Sequence, residues 1–580
     1  MTINIVRSKT FWVLLAICLL CVMPFLSFDY NTKGEPREAI VAFNMLESGN
    51  WIMPRNSVGE IAYKPPLMHW CIAAVSAVTG KVSEFTSRVP SAVAFIMLTM
   101  ATFVFFIRHT DRRTAILTTV LTFTGYELHR MGYNCRVDMM LTAFIVMAMY
   151  ALYNWNEKGR KGIPITAIIM MSLATLTKGP VGSLLPCLVT GVYMLLRKTS
   201  IWKAFLWMMA IGLLSLVIPA FWYYMASRQA GSEFITLMME ENVGRMTSTM
   251  SYKVHVAPWY INFAYLLMGM APWTLLAIIA LACGKHHKAN TKMPRIAEWP
   301  KKTWKWLTSL QPVTLYSLTA VVMVVAFYCI PESKRSVYIM PVFPFLSFLA
   351  TKYFIRIASK KPAAINIYTG FLAVVAVLAA LVFVILKFAD VPQNMFHGRS
   401  AFDTWEMTKN LGTDNSILSW VIMLALAVAG IGWWKWRKKT HTPYRRLMAS
   451  AVLLMIIYLA FDGVIKPAIL NAKSVKHIAA KIDNTVPKEE KLYEYIEDAV
   501  MAKGDPVHFY ELNFYLNDRI GNFHQCKPDK GYLLIGDQDA ELRMNEFRKD
   551  GYKFEEVLNS GQEPVMKQTL KLYKFEKSSD

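Results

Sequence analysis

The stretch from Ala364 to Phe388 reads AINIYTGFLAVVAVLAALVFVILKF and decides the fold class. A helix needs about 17–25 mostly apolar residues to cross the hydrocarbon core of a membrane, and this run has that length. The basic residues Arg356, Lys360 and Lys361 precede it, whereas the loop that follows carries mixed charge. Because cytoplasmic loops are enriched in Lys and Arg, this asymmetry predicts a transmembrane helix that starts in the cytoplasm.

Similar runs recur along the chain of 580 residues, of which 54% are hydrophobic and 18% charged. Soluble domains contain less apolar sequence and more charge. We predict a polytopic α-helical membrane protein with about 13 transmembrane helices and a small C-terminal α/β domain. The predicted spans are 10–27, 88–107, 113–129, 138–155, 162–177, 181–196, 204–225, 257–283, 312–330, 336–357, 364–388, 416–435 and 445–464.

The alternate loops test this count through their charge. With the N-terminus in the cytoplasm, every predicted cytoplasmic loop is basic and the opposite loops are mixed. The net charge of +23 therefore reflects topology and anionic lipid headgroups, not nucleic acid. The first run lacks a small-residue cleavage site, so we expect a retained helix, not a signal peptide.

The apolar run 66–80 is too short to span and would reverse every later loop if it did. We expect it to lie at the membrane interface, among amphipathic helices of the outer loop 28–87. The odd span count places residues 465–580 outside. The predicted division is a transmembrane domain, 1–464, and a soluble periplasmic domain, 465–580, with β runs at 506–512, 532–535 and 567–575 and a helix at 540–549.

Cysteine spacing indicates neither a metal site nor a disulfide framework, since most of the eight cysteines lie in or beside apolar runs.

Basic residues in the predicted outer loops are the first candidates for binding an anion. Lys64 precedes two prolines and Lys178 lies at a Gly-Pro break between two spans. Snorkelling explains most such lysines, but Lys334 and Arg335 are adjacent cations in a very short outer loop, against the topological bias. The candidate phosphate-binding residues are Lys64, Arg37, Lys178, Arg245, Lys334, Arg335 and Tyr338.

Acidic residues on the same predicted face are the candidates for catalysis: Glu35, Glu38 and Asp138. Acids in the first turn of a helix also favour the helix electrostatically, and this structural reading competes with a catalytic one. An ionisable group bordering a span is nevertheless a functional candidate. A carboxylate could accept a proton from an attacking group while cations stabilise a departing phosphate. Other candidates are His255, Asn242 and Tyr63; a metal role for His255 lacks further ligands.

An ordered set of motifs then carries a resemblance. It runs from Glu35-Pro-Arg37 through Lys64-Pro-Pro66, Asp138-Met-Met-Leu141, Leu176-Thr-Lys-Gly-Pro180, Asn242-Val-Gly-Arg245, His255-Val-Ala-Pro-Trp-Tyr260 and Gly269-Met-Ala-Pro-Trp-Thr274 to Ser333-Lys-Arg335 before Tyr338-Ile-Met-Pro341. The chain resembles the bacterial aminoarabinose lipid A transferase family, within the protein O-mannosyltransferase-like GT-C glycosyltransferases.

The resemblance implies inverting transfer of one sugar from a polyprenyl-phosphate donor at the outer face of the inner membrane, to lipid A or another surface glycan. By matching position, the resemblance implies that the donor phosphate contacts Lys64, Arg245 and Tyr338. It also implies that Asp138 and the first-loop acid are essential carboxylates. The family usually has an Asp-Glu pair where this chain has Gly34-Glu35. Tyr63 replaces a common Glu, which leaves a divalent cation as an open alternative and no certain cofactor.

Two other hypotheses stay open at this stage. One is a protein O-mannosyltransferase; the other, outside enzymes, is a transporter or flippase of a lipid-linked anion. A transporter commonly shows internal repeats, and none is visible here. A sensor with a ligand-binding outer domain would leave the Lys178 and Lys334–Arg335 loops unexplained. The expected partners are the lipid-linked donor, the acceptor and membrane lipids; we expect a monomer that binds no nucleic acid.

Overall fold

The structure is a computed structural model that describes residues 5–30, 32, 34–56, 59–62, 64–244, 247, 255–283, 299–398, 401–437, 442–497, 508–561 and 569–578. Helices dominate the region up to residue 472. In chain order they are α1 (Lys9–Val22), α2 (Gly34–Ser48), α3 (Leu67–Thr79), α4 (Glu84–His109), α5 (Arg112–Thr124), α6 (Tyr126–Gly132), α7 (Val137–Glu157), α8 (Ile165–Lys178), α9 (Val181–Leu196), α10 (Ile201–Met239), α11 (Ile261–Gly269), α12 (Trp273–Ala282), α13 (Trp299–Ser309), α14 (Pro312–Cys329), α15 (Phe343–Lys360), α16 (Pro362–Phe388), α17 (Ala401–Thr413), α18 (Ile417–Trp436), α19 (Pro443–Ala460) and α20 (Lys466–Ala472).

Short tighter or wider helical turns extend several of these helices. The 3₁₀ turns are Met23–Phe25, Ser336–Val342 and Gln393–Met395, and the π turns are Glu240–Gly244 and Phe461–Ile465. The prediction of a polytopic helical membrane protein is confirmed. Within the described residues, 8 helices are long and apolar enough to cross a membrane, or 9 if the bent pair α11–α12 forms one span.

The other predicted spans correspond to shorter helices. The spans 10–27, 113–129, 162–177 and 181–196 match α1, α5, α8 and α9, which have 14, 13, 14 and 16 residues. The count of 13 therefore stays a prediction. The run 66–80 forms α3, whose 13 residues are also short, and its interfacial position stays a prediction too.

Two predicted spans differ in shape from the structure. The span 204–225 lies within α10, which continues to Met239 across a kink at Gly231, where φ is +64°. The span 257–283 is not a single helix, because α11 and α12 meet at an angle of 100°. Pro272 lies at this break, where it cannot donate a backbone hydrogen bond.

A five-stranded sheet forms the C-terminal part of the chain, with the order β2-β1-β3-β5-β4. Its strands are β1 (Leu492–Tyr495), β2 (Ile520–Asn522), β3 (Lys530–Gly536), β4 (Tyr552–Asn559) and β5 (Leu570–Lys577). Strand β1 is parallel to β2 and β3, whereas β5 is antiparallel to β3 and β4. The helices are α21 (Lys476–Thr485), α22 (Tyr510–Tyr515), α23 (Phe523–Cys526) and α24 (Asp537–Lys549).

Alternating side chains of β3 supply both faces of this sheet. Leu534 packs on the side of α21 and Leu533 on the side of α24, as expected when successive side chains of a strand point to opposite faces. The predicted strand at 532–535 and helix at 540–549 are confirmed, and the run 567–575 forms β5 from residue 570. The predicted strand at 506–512 is wrong for its described part, which enters α22 at Tyr510.

Candidate active site

A cavity of about 350 Å³ lies where α2, α7, α8, α9 and α14 meet at the predicted outer end of the bundle. Its lining joins chain segments that are far apart in sequence. The lining residues are Arg37, Lys64, Arg136, Val137, Asp138, Lys178, Pro180, Val181, Leu184, Glu241, Asn242, Val243, Phe327, Tyr328, Pro331, Ser333, Arg335 and Tyr338. Five of these are lysines or arginines, so the cavity suits a ligand that carries negative charge.

Asp138 lies in the first turn of α7, where the helix dipole favours a carboxylate. Its side chain is 3% exposed and accepts a hydrogen bond from Lys178, and its Oδ2 lies 3.8 Å from Nε of Arg136. Lys178 is the last residue of α8 and places its Nζ 4.7 Å from the centre of the Tyr338 ring. Asp138 therefore holds two cations in the cavity wall.

The turn after Lys178 depends on a glycine. Gly179 has a φ of +102°, a conformation that favours residues without a Cβ. A Cβ at this position would lie 2.3 Å from Oδ1 of Asn242. Gly179 thus allows Asn242, in the π turn after α10, to approach the end of α8 and line the cavity.

Lys64 enters the cavity from the loop before α3 and is paired with Glu38 of α2. Glu38 also accepts a hydrogen bond from Nε2 of His69 at 2.8 Å and lies 3.8 Å from Arg37. Burial raises the pKa of Glu38, but Lys64, His69 and Arg37 outweigh it and hold that pKa well below its usual range. Burial, opposed by Glu38, lowers the pKa of Lys64 to about 8.

Glu35 lies outside the lining of this cavity. Its two carboxylate oxygens accept hydrogen bonds from Arg88 at 2.9 and 3.2 Å, and the backbone N–H of Cys135 donates to Oε1 at 2.8 Å. Burial alone would raise the pKa of Glu35, but Arg88 and the Cys135 N–H lower it. Glu35 therefore fixes the segment that leads into Arg136 and Asp138.

The remaining predicted residues fall into three groups. Arg335, Tyr338 and Asn242 line the cavity. Lys334 is buried but does not line it, because its Nζ donates to the carbonyl oxygens of Cys329 and Pro331 at the end of α14. His255 is exposed and outside the lining, and its carbonyl oxygen accepts from the N–H of Lys334 at 2.9 Å. Arg245 and Tyr63 lie outside the described residues.

Two arginines of the site were not among the predicted residues. Arg136 stands two positions before Asp138 in a predicted outer loop, and its basic charge on that side was a usable signal. Arg88 lies at the start of a predicted span, where a fully buried ionisable side chain is a functional candidate by default. Nothing in the sequence indicated that Arg88 would take both oxygens of Glu35.

No group of three or more His, Cys, Asp or Glu side chains suited to a metal ion occurs in the part of the chain that the structure describes. Five lysine and arginine side chains line the cavity beside the two carboxylates of Asp138 and Glu241, and their positive charge opposes the binding of a metal ion.

The chain is similar to several known proteins. A family model described as dolichyl-phosphate-mannose-protein mannosyltransferase matches residues 63–223. An undecaprenyl phosphate-alpha-4-amino-4-deoxy-L-arabinose arabinosyl transferase from Erwinia tasmaniensis is 24% identical over 535 residues, which cover 89% of this chain and 87% of the relative. An uncharacterized protein from Aquifex aeolicus is 26% identical over 376 residues, 63% of this chain and 68% of the relative.

A solved structure shares the fold over nearly its whole length. The crystal structure of ArnT from Cupriavidus metallidurans bound to undecaprenyl phosphate superposes with a TM-score of 0.67 at 17% identity, and covers 97% of this chain and 98% of that one. The apo structure of the same protein gives a TM-score of 0.66. This similarity establishes the GT-C fold.

The fold and the cation-lined cavity define a membrane glycosyltransferase of the GT-C type. Within that class, the chain resembles the aminoarabinose lipid A transferases among the protein O-mannosyltransferase-like enzymes, as the order of its motifs predicted. These similarities support an enzyme and give no support to the transporter hypothesis.

Proposed function

We propose that this glycosyltransferase moves a single sugar, with inversion, from a polyprenyl-phosphate donor to lipid A or another surface glycan. The observation that carries the proposal is the cavity, which five cationic side chains line together with Asp138. A donor phosphate needs such cations, because negative charge develops on it as the bond to the sugar breaks. The relatives named for undecaprenyl phosphate-linked aminoarabinose support this donor class.

The transfer is a single displacement. An acceptor oxygen forms a bond to the anomeric carbon while the bond from that carbon to the donor phosphate breaks, and the electron pair leaves with the polyprenyl phosphate. Lys64, Lys178 and Arg335, together with Tyr338, are placed to stabilise the departing phosphate. We assign Arg37 and Arg245 to the same anion-binding group.

The carboxylates have different roles in this proposal. Asp138 is already paired with Lys178 and lies close to Arg136, so it is a weak base. An acceptor phosphate arrives ionised and needs no strong base, which makes an anionic acceptor group the better fit. Glu35 and Glu38 act by holding the Cys135–Asp138 segment and Lys64, respectively.

The proposed setting is the bacterial inner membrane, with the N-terminus in the cytoplasm and the C-terminal sheet in the periplasm. Basic loops on the predicted cytoplasmic side support this orientation. The protein acts as a monomer and its partners are the lipid-linked donor, the acceptor and membrane lipids.

Mass spectrometry of surface lipids and glycans from cells with and without the protein tests the proposal. We expect one glycan or lipid species to lose the mass of a single sugar when the protein is absent. Asp138→Asn should reduce that species by about 100-fold or more, because both cations lose their anionic partner. The matched control is Asp390→Asn, an exposed outer-loop acid outside the cavity.

Two outcomes would contradict the proposal. An unchanged amount of product with the Asp138→Asn enzyme would show that the cavity takes no part in the reaction. Loss of hexose from proteins, with unchanged lipids and glycans, would favour the protein O-mannosyltransferase alternative. The description of the matching family model is consistent with that alternative.

A further inference from the structure

A second, much smaller cavity adjoins the first behind Lys64. Its volume is about 20 Å³. Its lining comes from α2, α3 and the loop between them, and it shares two cations with the larger cavity. The lining residues are Arg37, Glu38, Val41, Asn56, Ala62, Lys64 and His69.

Two of the residues that line this small cavity each carry a buried polar atom with no hydrogen-bond partner among the described residues: Nδ1 of His69 and Oδ1 of Asn56. The His69 side chain is 1% exposed, so bulk water does not satisfy it. Buried polar atoms are nearly always paired with protein or ordered water. The pair of orphan atoms therefore indicates an occupant.

Each orphan atom needs a small polar partner. Nε2 of His69 is paired with Oε2 of Glu38 at 2.8 Å, so Nδ1 is the ring nitrogen that still needs a partner. Nδ2 of Asn56 donates to the hydroxyl of Tyr510 in the C-terminal region at 3.1 Å, which leaves Oδ1 as an acceptor. The occupant must therefore donate to Oδ1 of Asn56 and form a hydrogen bond with Nδ1 of His69.

A single water molecule meets these requirements. It donates one hydrogen to Oδ1 of Asn56 and forms a second hydrogen bond with Nδ1 of His69, in a cavity that Lys64 and Arg37 also line. A cavity needs room for about one water-sized sphere and two to four polar partners to hold a water, and this cavity has both. A metal cation would be repelled by Lys64 and Arg37, and an anion by Glu38.

We propose that a buried water in this cavity completes a hydrogen-bonded chain from Tyr510 through Asn56 and His69 to Glu38, and that His69 is thereby the positioning residue for Lys64 during sugar transfer. This inference rests on the proposed function, in which Lys64 contacts the donor phosphate. It connects the C-terminal region to the reaction cavity through four side chains and one water.

The chain matters because Lys64 must stay charged to bind phosphate. Burial lowers its pKa to about 8, while Glu38 opposes that effect. The charged and titratable groups that face Lys64 are Glu38 and Arg37 of α2, His69 of α3, and Arg136 and Asp138 at the start of α7. If Glu38 turns away from Lys64, the positive charge of the nearby arginines makes the Lys64 ammonium group lose its proton at a lower pH.

The test measures the affinity of the purified full-length protein for undecaprenyl phosphate across pH 6–10. We expect binding by the unchanged protein to weaken on the alkaline side as Lys64 loses its charge. His69→Leu should weaken binding by about tenfold at neutral pH, because the loss of a hydrogen bond to a charged group has an effect of about that size. It should also shift the alkaline loss of binding to lower pH. His69→Gln should restore most of the affinity at neutral pH and most of the alkaline pH dependence, because its amide can donate to Glu38.

Ser76→Ala is the matched control on the same helix: it removes a buried hydrogen bond to Thr86, 2.9 Å long, away from both cavities. It should leave the alkaline limb in place. Asn56→Leu keeps the bond between His69 and Glu38 but removes the water's partner. It should also shift the alkaline loss of binding to lower pH, and it serves as the second variant if His69→Leu fails to fold.

The outcomes separate the two proposals. If the unchanged protein does not bind undecaprenyl phosphate, the proposed donor class falls and this inference falls with it. If it binds but His69→Leu and Asn56→Leu have the alkaline limb of the unchanged protein, the inference is overturned and the proposed function stands. A high-resolution structure should also show density for one water between Nδ1 of His69 and Oδ1 of Asn56; a dry cavity would overturn the proposal.

Discussion

At the start of α2, the guanidinium of Arg136 packs against Gly34, in the space that a side chain at position 34 would need. A Cβ added to Gly34 would lie 2.0 Å from Nη1 of Arg136, so the guanidinium occupies the place of a side chain. The resembled family usually carries an aspartate at this position. Here the missing acid is replaced by a cation that lines the cavity beside Asp138. This exchange favours an anionic acceptor, in agreement with the proposed function.

A single methyl group tests this exchange. Gly34→Ala should displace Arg136 from its place and lower sugar transfer by about tenfold or more, since an oriented charged donor contributes on that scale. The measurement is the yield of the glycosylated product by mass spectrometry at equal protein level. Gly370→Ala is the control, because a Cβ there meets nothing within 4 Å. Equal yields from both variants would show that Arg136 has no part in transfer.

Single residues also show where sequence-based prediction of the site succeeds. Lys64, Asp138, Lys178 and Arg335 were predicted because each is charged beside a span, and the structure brings all four to one cavity. Lys334 was predicted on the same grounds, yet its ammonium group binds carbonyl oxygens of its own turn. Adjacent residues point in different directions, and local backbone geometry decides which one reaches the cavity.

At the scale of elements, hydropathy locates helices better than it locates their ends. The apolar stretch 204–225 lies within α10 and ends well before this helix does, because α10 continues to Met239 and is followed by a π turn. Hydropathy marks only the part of a helix that suits lipid. The π turn that follows carries Asn242 into the cavity, and no apolar pattern predicts it.

The turn between α8 and α9 is the element on which the site most depends. Gly179→Ala should strain the positive-φ turn by about 1 kcal/mol. It should also push Asn242 away from the end of α8, because the new Cβ would lie 2.3 Å from Asn242 Oδ1. We expect reduced thermal stability together with weaker binding of undecaprenyl phosphate.

The control for this element separates backbone strain from the clash. Gly162 also has a positive φ, +71°, but a Cβ there meets nothing within 4 Å. Gly162→Ala should therefore lose similar stability in a thermal unfolding measurement while it binds undecaprenyl phosphate normally. Equal loss of binding in both variants would contradict a specific role for the contact between Gly179 and Asn242.

At the scale of the whole molecule, side chains of the outer loop and the C-terminal region pair across long sequence distances. Asn56 bonds to Tyr510, the Tyr30 N–H donates to the Tyr515 hydroxyl at 3.0 Å, and Lys476 bridges Asp29 and Glu84. Single-sequence patterns predict each part but not these pairs, because contacts between distant segments leave no periodic signal. The boundary at 464/465 stays a prediction.

A further contact between the outer loop and the C-terminal region, made by His508, makes their association depend on pH. His508 is fully buried between Glu494 of β1, which its Nδ1 contacts, and Glu60 of the outer loop, whose Oε1 lies 3.4 Å from Nε2. Burial lowers the pKa of His508, but the bonds to Glu494 and Glu60 outweigh burial and raise it to about 10. The protonated ring then bridges two carboxylates.

The sign of the pH effect follows from this raised pKa. Histidine in an unfolded chain has a pKa of about 6.5, so the stabilisation is fully present below that pH and is lost as pH rises towards about 10. Lys64, whose pKa is lowered, has the opposite trend in the alkaline range. A comparison between the unchanged protein and a His508 variant therefore isolates the histidine.

Thermal unfolding of the full-length protein from pH 6 to pH 9 provides that comparison. His508→Gln keeps hydrogen bonding but removes the charge, so we expect its unfolding temperature to lie furthest below that of the unchanged protein at pH 6, with a gap that narrows as pH rises. His524→Gln, a change at an exposed histidine of the same region, should leave the pH profile unchanged. A gap of constant size across the range would mean that His508 contributes by packing and not by its charge, since only a titrating group produces a difference that varies with pH.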